Sequence, residues 1–164
     1  MTIEDNRCVV GSCSGYEIFV FEKPADDFIW EGVITVEGMG KLGLVTDMDG
    51  SGSGYYYSMD VVNGYVQVRA WGFNEADTRS NFKFHVLQDN IFTINPAYTY
   101  HFKLIRFGNY IELVIDGNVK LTLIDYSYNN SYIGLYSSSS VVSLNYSFIK
   151  KLPPLKDEYV VKNE

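Results

Sequence analysis

The sequence predicts an all-β domain, a two-sheet antiparallel jelly-roll sandwich, and two observations lead to this prediction. Apolar and polar side chains alternate along most segments, and a period of two indicates strands rather than helices. Sequences that favour turns separate these segments at the short, even spacing that is typical of sandwiches and barrels. The pattern predicts about eleven short strands and no convincing amphipathic helix.

The first half of the chain carries the clearest alternation. It predicts strands over Phe28–Glu37, Lys41–Asp47 and Tyr55–Val61. Asn63-Gly64 tolerates the positive φ angles of a type I′ turn, so this pair is expected to join the third strand to a fourth, Tyr65–Phe73, as a hairpin.

The second half repeats the pattern. A short strand over Phe82–Leu87 is expected between two loops, and further strands are expected over Tyr98–Phe107, Tyr110–Ile115, Asn118–Ile124, Tyr132–Tyr136 and Ser139–Phe148. The sandwich domain is therefore expected to span residues 16–153. Residues 1–15 are interpreted as a lead-in or linker remnant, and residues 154–164 as a charged C-terminal tail.

Composition and charge argue against several classes of partner. Thirteen Lys and Arg against twenty Asp and Glu give a formal net charge of −7, which repels the phosphate backbone of nucleic acids. No apolar run approaches the roughly 18 residues of a membrane-spanning helix. The N-terminal residues lack the basic start and apolar stretch of a secretory signal, so the location stays open, with the cytoplasm as the default.

Aromatic residues are the main functional feature of the sequence. They make up 16% of the chain, more than one core of this size needs, so some should lie on a face or at an interface. By alternation, Tyr65, Arg69 and Trp71 share one face of a strand, Tyr56 lies on the adjoining strand, and Asn74 follows. Sugar rings pack on flat aromatic side chains and bond Asn and Arg through their hydroxyls. These five residues are therefore predicted to contact carbohydrate, unless Trp71 fills the core or docks against a partner domain.

Two acidic residues are candidate metal ligands. Asp47 and Asp49 lie in a connection rich in Gly and Ser, and Ca²⁺ favours such clustered oxygen atoms. The segment lacks the later acids of an EF-hand loop, and Asp and Ser also occur in turns for their own hydrogen bonds, so a plain loop is the alternative. Apart from this structural calcium no cofactor is predicted. No catalytic residue is predicted either, since no carboxylate pair or nucleophile has glycosidase or triad spacing.

Several segments resemble a known group of sandwich modules. The hairpin Phe102–Gly117 resembles one found in concanavalin A-like modules. Three further stretches resemble the C-terminal sandwich of family 32-type glycoside hydrolases, the β-fructosidase group: Asp27–Gly32, Arg69–Asn74, and Ile111–Leu113 through Ile133–Ser137. The resemblance spans about residues 16–153 and implies a sandwich of the concanavalin A-like class.

The resemblance implies an accessory module rather than an enzyme. Enzymes of this group carry an N-terminal propeller with acidic catalytic residues, and neither the propeller nor its Asn-Asp-Pro-type motif occurs here. The implied function is a non-catalytic module of a fructan- or sucrose-directed glycoside hydrolase, which stabilises the catalytic propeller in cis or in trans and contacts carbohydrate. The alternatives are a stand-alone, lectin-like domain, a concanavalin-like glycoside hydrolase, or a purely structural domain.

Overall fold

The computed structural model describes residues 2–4, 7–12, 17–72 and 83–153, with the segments 2–4, 7–8, 10–12, 68–72 and 83–85 described by their backbone alone. Within these ranges the regular structure is entirely β, and no helix is long and apolar enough to cross a membrane. The strands are β1 (Thr2–Glu4), β2 (Arg7–Ser12), β3 (Glu17–Glu22), β4 (Phe28–Met48), β5 (Gly54–Asp60), β6 (Tyr65–Gly72), β7 (Lys83–Ile91), β8 (Thr99–Phe107), β9 (Tyr110–Ile115), β10 (Asn118–Ile124) and β11 (Tyr132–Lys151).

Two long strands, β4 and β11, pair with each other along almost their whole length and belong to both sheets of the domain. The first half of β4 pairs with β8, which continues to β9 and β10, while β11 pairs on its other side with β2. The second half of β4 pairs with β5, which continues to β6 and β7, while the first half of β11 pairs with β3. All pairings are antiparallel, and the predicted all-β, two-sheet antiparallel sandwich is confirmed.

The bend that passes β4 and β11 from one sheet to the other lies at small residues. Gly38 and Ser139 both have positive φ, at 87° and 54°, and the pairing register shifts between Ser138 and Ser140. A Cβ atom at Gly40 would lie 2.0 Å from the carbonyl oxygen of Ser138. The two bent backbones approach so closely at this point that only glycine fits.

The core between the sheets follows the predicted alternation. Phe28, Trp30, Ile34 and Val36 of β4 are buried, and Tyr55, Tyr57 and Met59 of β5 face them from the second sheet. The indole of Trp30 packs edge-on against Phe102 and Phe21, with ring centroids 5.3 Å and 5.9 Å apart. Aromatic pairs at these distances and angles add to the stabilisation that comes from burial.

Some predicted elements differ from the observed ones in extent. The strands expected over Phe28–Glu37 and Lys41–Asp47 form the single bent strand β4, and those expected over Tyr132–Tyr136 and Ser139–Phe148 form β11. β7 continues to Ile91, into residues expected to be a loop. Residues 2–4 and 7–12, within the expected lead-in, form strands, while the tail over 154–164 lies outside the described residues.

Candidate functional site

The pairing of β5 with β6 brings the predicted carbohydrate-binding positions together on one face. Tyr56 lies opposite Arg69, and Asp60 opposite Tyr65, and the register between the strands has no shift. Residues that lie directly opposite in an antiparallel pair share a face of the sheet. We call the positions of Tyr56, Ser58, Asp60, Tyr65, Gln67 and Arg69 the β5–β6 face. It is the face that points away from the core residues Tyr55, Tyr57 and Met59.

Tyr56 has a structural role on this face. Its side chain is only 2% exposed, and its ring packs edge-on against Tyr136 at 5.1 Å. The Tyr56 hydroxyl donates a hydrogen bond of 2.8 Å to the carbonyl oxygen of Gly52. Tyr56 is therefore enclosed by its neighbours on the outward side of the sheet and offers no free ring face to a sugar.

Asp60 and Tyr65 lie at one end of the β5–β6 face and are joined by a hydrogen bond. The Asp60 carboxylate accepts hydrogen bonds from the backbone and side-chain amides of Asn63, at 3.0 Å and 2.9 Å, and from the Tyr65 hydroxyl, while Lys41 lies 3.6 Å away. Burial opposes ionisation of this carboxyl, but the donors outweigh it, so the pKa of Asp60 lies below its ordinary value. At this end of the face, a buried carboxylate paired with Lys41 fixes the position of the Tyr65 hydroxyl.

The other predicted positions are only partly described. Trp71 pairs with Gly54 in the β5–β6 ladder, one residue pair beyond Tyr55 and Ala70. Asn74 lies outside the described residues. At the centre of the face, the Ser58 hydroxyl is buried and has no hydrogen-bond partner among the residues that the structure describes. A buried hydroxyl in this state has an unmet hydrogen-bonding capacity.

Asp47, predicted as a calcium ligand, lies in a buried ion cluster. Its carboxylate accepts a hydrogen bond of 2.9 Å from Arg106 Nε and one of 3.0 Å from Lys23 Nζ, and the Thr46 hydroxyl also donates to it. Arg106 further donates to the carbonyl oxygens of Gly108 and Tyr128. A cation at Asp47 would have to displace two positive side chains, so this carboxylate serves to tie the strands and loops at one end of the sandwich.

Asp49 forms a turn with the serines that follow it. One carboxylate oxygen accepts hydrogen bonds from the backbone amides of Ser51 and Ser53, at 2.8 Å and 2.9 Å, and from the Ser51 hydroxyl at 2.7 Å. Burial raises the pKa of Asp49 less than these donors lower it, so the net shift is downward. Within the described part of the chain, no three His, Cys, Asp or Glu side chains are grouped as a metal site would need.

A groove that the sequence analysis did not identify crosses the outward face of the other sheet. This outer groove has a volume of about 520 Å³. Its lining comes from β4, β8, β9, β10 and β11, and the residues used below are Glu31, Val33, His101, Lys103, Glu112, Val114, Val119, Tyr146 and Phe148. Tyr146 and Phe148 are 62% and 45% exposed, and both lie on the part of β11 that pairs with β4.

The sequence did contain a signal for this groove. Tyr146 and Phe148 alternate with Ser147 along β11, so the two rings share a face. Val142 and Leu144 precede them at the same spacing and fit the core side of a strand. Nothing in the sequence pattern shows where along β11 the alternation switches from the core side to the outer side. The register shift between Leu144 and Tyr146 moves the two rings outward.

Comparison with known proteins identifies the fold. No protein-family model and no curated protein sequence matches the chain. Among solved structures, the carbohydrate binding module CBM66 from Bacillus subtilis matches with a TM-score of 0.66 and 15% identity, over 85% of this chain and 97% of that one. Sheep galectin-11 matches with a TM-score of 0.57 and 6% identity, over 85% and 98%.

A third similar structure is the Aspergillus kawachii β-fructofuranosidase, with a TM-score of 0.60 and 13% identity over 87% of this chain. The match spans 26% of that enzyme. At such low identities the likeness concerns the fold alone. The chain therefore has the antiparallel β-sandwich fold that carbohydrate-binding modules, galectins and sandwich domains of glycoside hydrolases share.

Proposed function

We propose that the chain is a non-catalytic carbohydrate-binding module. The observation that carries this proposal is the match to CBM66, which spans 97% of a protein whose name describes carbohydrate binding. The β5–β6 face supports it, because it places the half-buried Tyr65 and the position of Arg69 on the side of the sheet that points away from the core. Aromatic surface flanked by hydrogen-bonding groups suits a ligand that has both apolar C–H faces and hydroxyls.

The finer proposal concerns the kind of enzyme that the module serves. The chain corresponds in fold to about a quarter of the Aspergillus kawachii β-fructofuranosidase. Together with the segments that resemble the family 32-type C-terminal sandwich, this favours a module of a fructan- or sucrose-directed glycoside hydrolase. Its partner would be the catalytic propeller of that enzyme, in cis or in trans.

The proposed binding residues are Trp71, Arg69, Asn74, Tyr65 and Tyr56, of which Tyr56, Tyr65 and Arg69 have positions on the β5–β6 face. Tyr65 offers a half-buried ring, and the buried Asp60 carboxylate holds its hydroxyl in place. Tyr56 would support the site through its contact with Tyr136 rather than by a free ring face. Trp71 and Arg69 would supply the stacking surface and the donor at the opposite end of the hairpin.

Isothermal titration with fructo-oligosaccharides tests the proposal. We expect heat of binding for the unchanged protein, and a loss of affinity of about tenfold or more in Trp71→Ala and in Tyr65→Ala. Tyr126→Ala is the matched control, because Tyr126 is 84% exposed and lies on neither surface described above. Absence of heat with every sugar, or equal affinity in all variants, would contradict the proposal.

The alternative of a stand-alone lectin has its own support. The likeness to sheep galectin-11 spans 98% of that chain, so a sandwich of this size can be a whole protein. Light scattering of the chain alone and mixed with a family 32-type propeller distinguishes the two. A complex of the summed mass supports the accessory role, and sugar binding without a complex supports the lectin.

A further inference from the structure

We propose that the outer groove is a second binding site, and that it takes a neutral oligosaccharide. The inference rests on the proposed carbohydrate-binding function but concerns a different surface. The β5–β6 face belongs to the sheet of β5, β6 and β7, whereas the groove lies on the outward face of β8, β9 and the first half of β4. The core separates the two surfaces, so each can bind or fail to bind by itself.

The aromatic wall of the groove is the first observation. Tyr146 and Phe148 lie two residues apart on β11, with ring centroids 6.1 Å apart and ring planes inclined at 57°. Neither ring packs in the core, and both side chains are exposed to solvent. The face of an aromatic ring carries partial negative charge and attracts the weakly positive C–H groups of a sugar ring. Two adjacent, mutually inclined rings form a twisted platform of the kind that successive sugar units of a chain could cover.

The floor and the far side of the groove provide a mixture of apolar and polar contacts. Val33 and Val114 line it, and Val119 on β10 is 55% exposed at its far edge. Val33 lies next to Tyr146 on the neighbouring strand, whereas Glu31 and Lys103, whose charged groups are 3.5 Å apart, lie between Phe148 and Val114. A volume of about 520 Å³ lies within the usual range of ligand sites, roughly 300–1,000 Å³.

The polar groups in the groove favour hydroxyl-rich ligands over an apolar protein surface. The Glu31–Lys103 pair is exposed enough to exchange its partner for a hydroxyl at little cost. The carboxylate of Glu112 already accepts a hydrogen bond from the Tyr110 hydroxyl and keeps a further oxygen for a ligand. Charged residues are depleted in the cores of protein interfaces, yet here they lie between the apolar walls.

Charge decides the class of sugar. With His101 counted as neutral, as in the formal net charge, the groove contains two carboxylates, Glu31 and Glu112, against one ammonium group, Lys103. The whole chain carries a formal net charge of −7. Both the local and the overall charge repel uronates and sulfated chains, so the ligand is expected to be neutral.

Methyl NMR spectroscopy of the full chain tests the proposal. The probes are maltotriose, cellotriose, xylotriose and kestose, with trigalacturonate as the anionic comparison. We expect at least one neutral sugar to shift the methyl signals of Val33, Val114 and Val119, and trigalacturonate to shift them less. Tyr146→Ala and Phe148→Ala should each weaken this response about tenfold, and Tyr126→Ala should leave it unchanged.

The outcomes separate this inference from the proposed function. If sugars bind with an affinity that Trp71→Ala abolishes, and the groove methyls do not move, the groove proposal is wrong and the proposed function stands. If the groove methyls move in Trp71→Ala as in the unchanged protein, the groove is a site of its own. If no sugar binds by titration or by NMR, both proposals fail. A stronger response to trigalacturonate would overturn the choice of a neutral ligand.

Discussion

Asp47 shows how a single charged residue can be held inside a β-sandwich. It is fully buried, and its two carboxylate oxygens contact Arg106, Lys23 and Thr46. Arg106 also lies over the ring of Tyr55, at 5.4 Å from its centroid. Such a cluster does not make the fold more stable than apolar residues would, but the loss of one member leaves a buried charge without its partner.

Arg106→Met is therefore expected to be among the most destabilising substitutions in the chain. Removal of one partner of a buried ion pair typically costs about 3–5 kcal/mol, and we expect about 3 kcal/mol because Asp47 keeps Lys23. Urea unfolding measures the change. Lys103→Met is the matched control on the same strand, since its exposed pair with Glu31 contributes at most about 1 kcal/mol. An equal loss of unfolding free energy in Arg106→Met and Lys103→Met would contradict a stabilising interaction between Arg106 and Asp47.

Acid sensitivity is a second property that single residues determine. Burial opposes ionisation of Asp125, but donors on Tyr55 and Ser127 and the charge of Arg106 outweigh it, so the pKa of Asp125 lies below its ordinary value. A carboxyl with a lowered pKa stabilises the fold above its ordinary value, near 3.9, and this contribution is lost as the pH falls through the lowered value. The melting temperature should therefore decrease as the pH is lowered below about 4.

The Tyr55→Phe variant tests the cause of this shift. Without the Tyr55 hydroxyl, the pKa of Asp125 should rise toward its ordinary value, and the melting temperature should depend less on pH below about 4. Carbon NMR of the Asp125 carboxyl measures the pKa directly. Tyr126→Phe, at an exposed ring, should change neither quantity. An unchanged Asp125 pKa in Tyr55→Phe would assign the shift to Ser127 and Arg106 instead.

At the scale of elements, the bend that β4 and β11 share divides their continuous pairing between two sheets. Gly40→Ala is expected to destabilise the fold by about 1–3 kcal/mol, because its Cβ would meet the carbonyl oxygens of Ser138 and Ser139 at 2.0 Å and 2.5 Å. The two backbones would have to separate at the bend. Gly50→Ala is the control, since no atom lies within 4 Å of the added Cβ, and it should stay within about 0.5 kcal/mol. Thermal unfolding of the two variants checks the prediction.

The elements also show what the sequence could and could not predict. Alternation in Phe28–Glu37 and in Tyr55–Val61 was enough to identify the core faces, because the period of a strand decides which side chains point inward. The sequence could not show that the two predicted strands continue into each other through Gly38–Gly40, because the same glycines also fit a turn. Asp47 was interpreted as a turn or metal residue, since its partners lie 24 and 59 positions away in the chain.

At the scale of the whole molecule, the sandwich has two outward faces, and the outer groove on one of them carries two glutamates, Glu31 and Glu112, on different strands. Retaining and inverting enzymes hold two carboxyl groups about 5–5.5 Å or 6.5–9.5 Å apart. On the outer groove, Glu31 lies level with Lys103 and Val114, so Glu112 is two strands and two residues away, or about 12 Å between Cα atoms. Glu112 bonds Tyr110, on the side away from Glu31, and Glu31 bonds Lys103.

The purified chain should therefore bind sugar without cleaving it. We expect no release of reducing ends from inulin, levan or mixed-linkage glucan over a day of incubation, and no difference between the unchanged protein and the Glu31→Gln and Glu112→Gln variants. The same variants should alter sugar affinity at the groove, because each removes a charged acceptor while keeping the shape of the side chain. Hydrolysis that either substitution abolishes would mean that the two carboxyl groups converge on a bound chain, and that the groove is an active site rather than a binding surface.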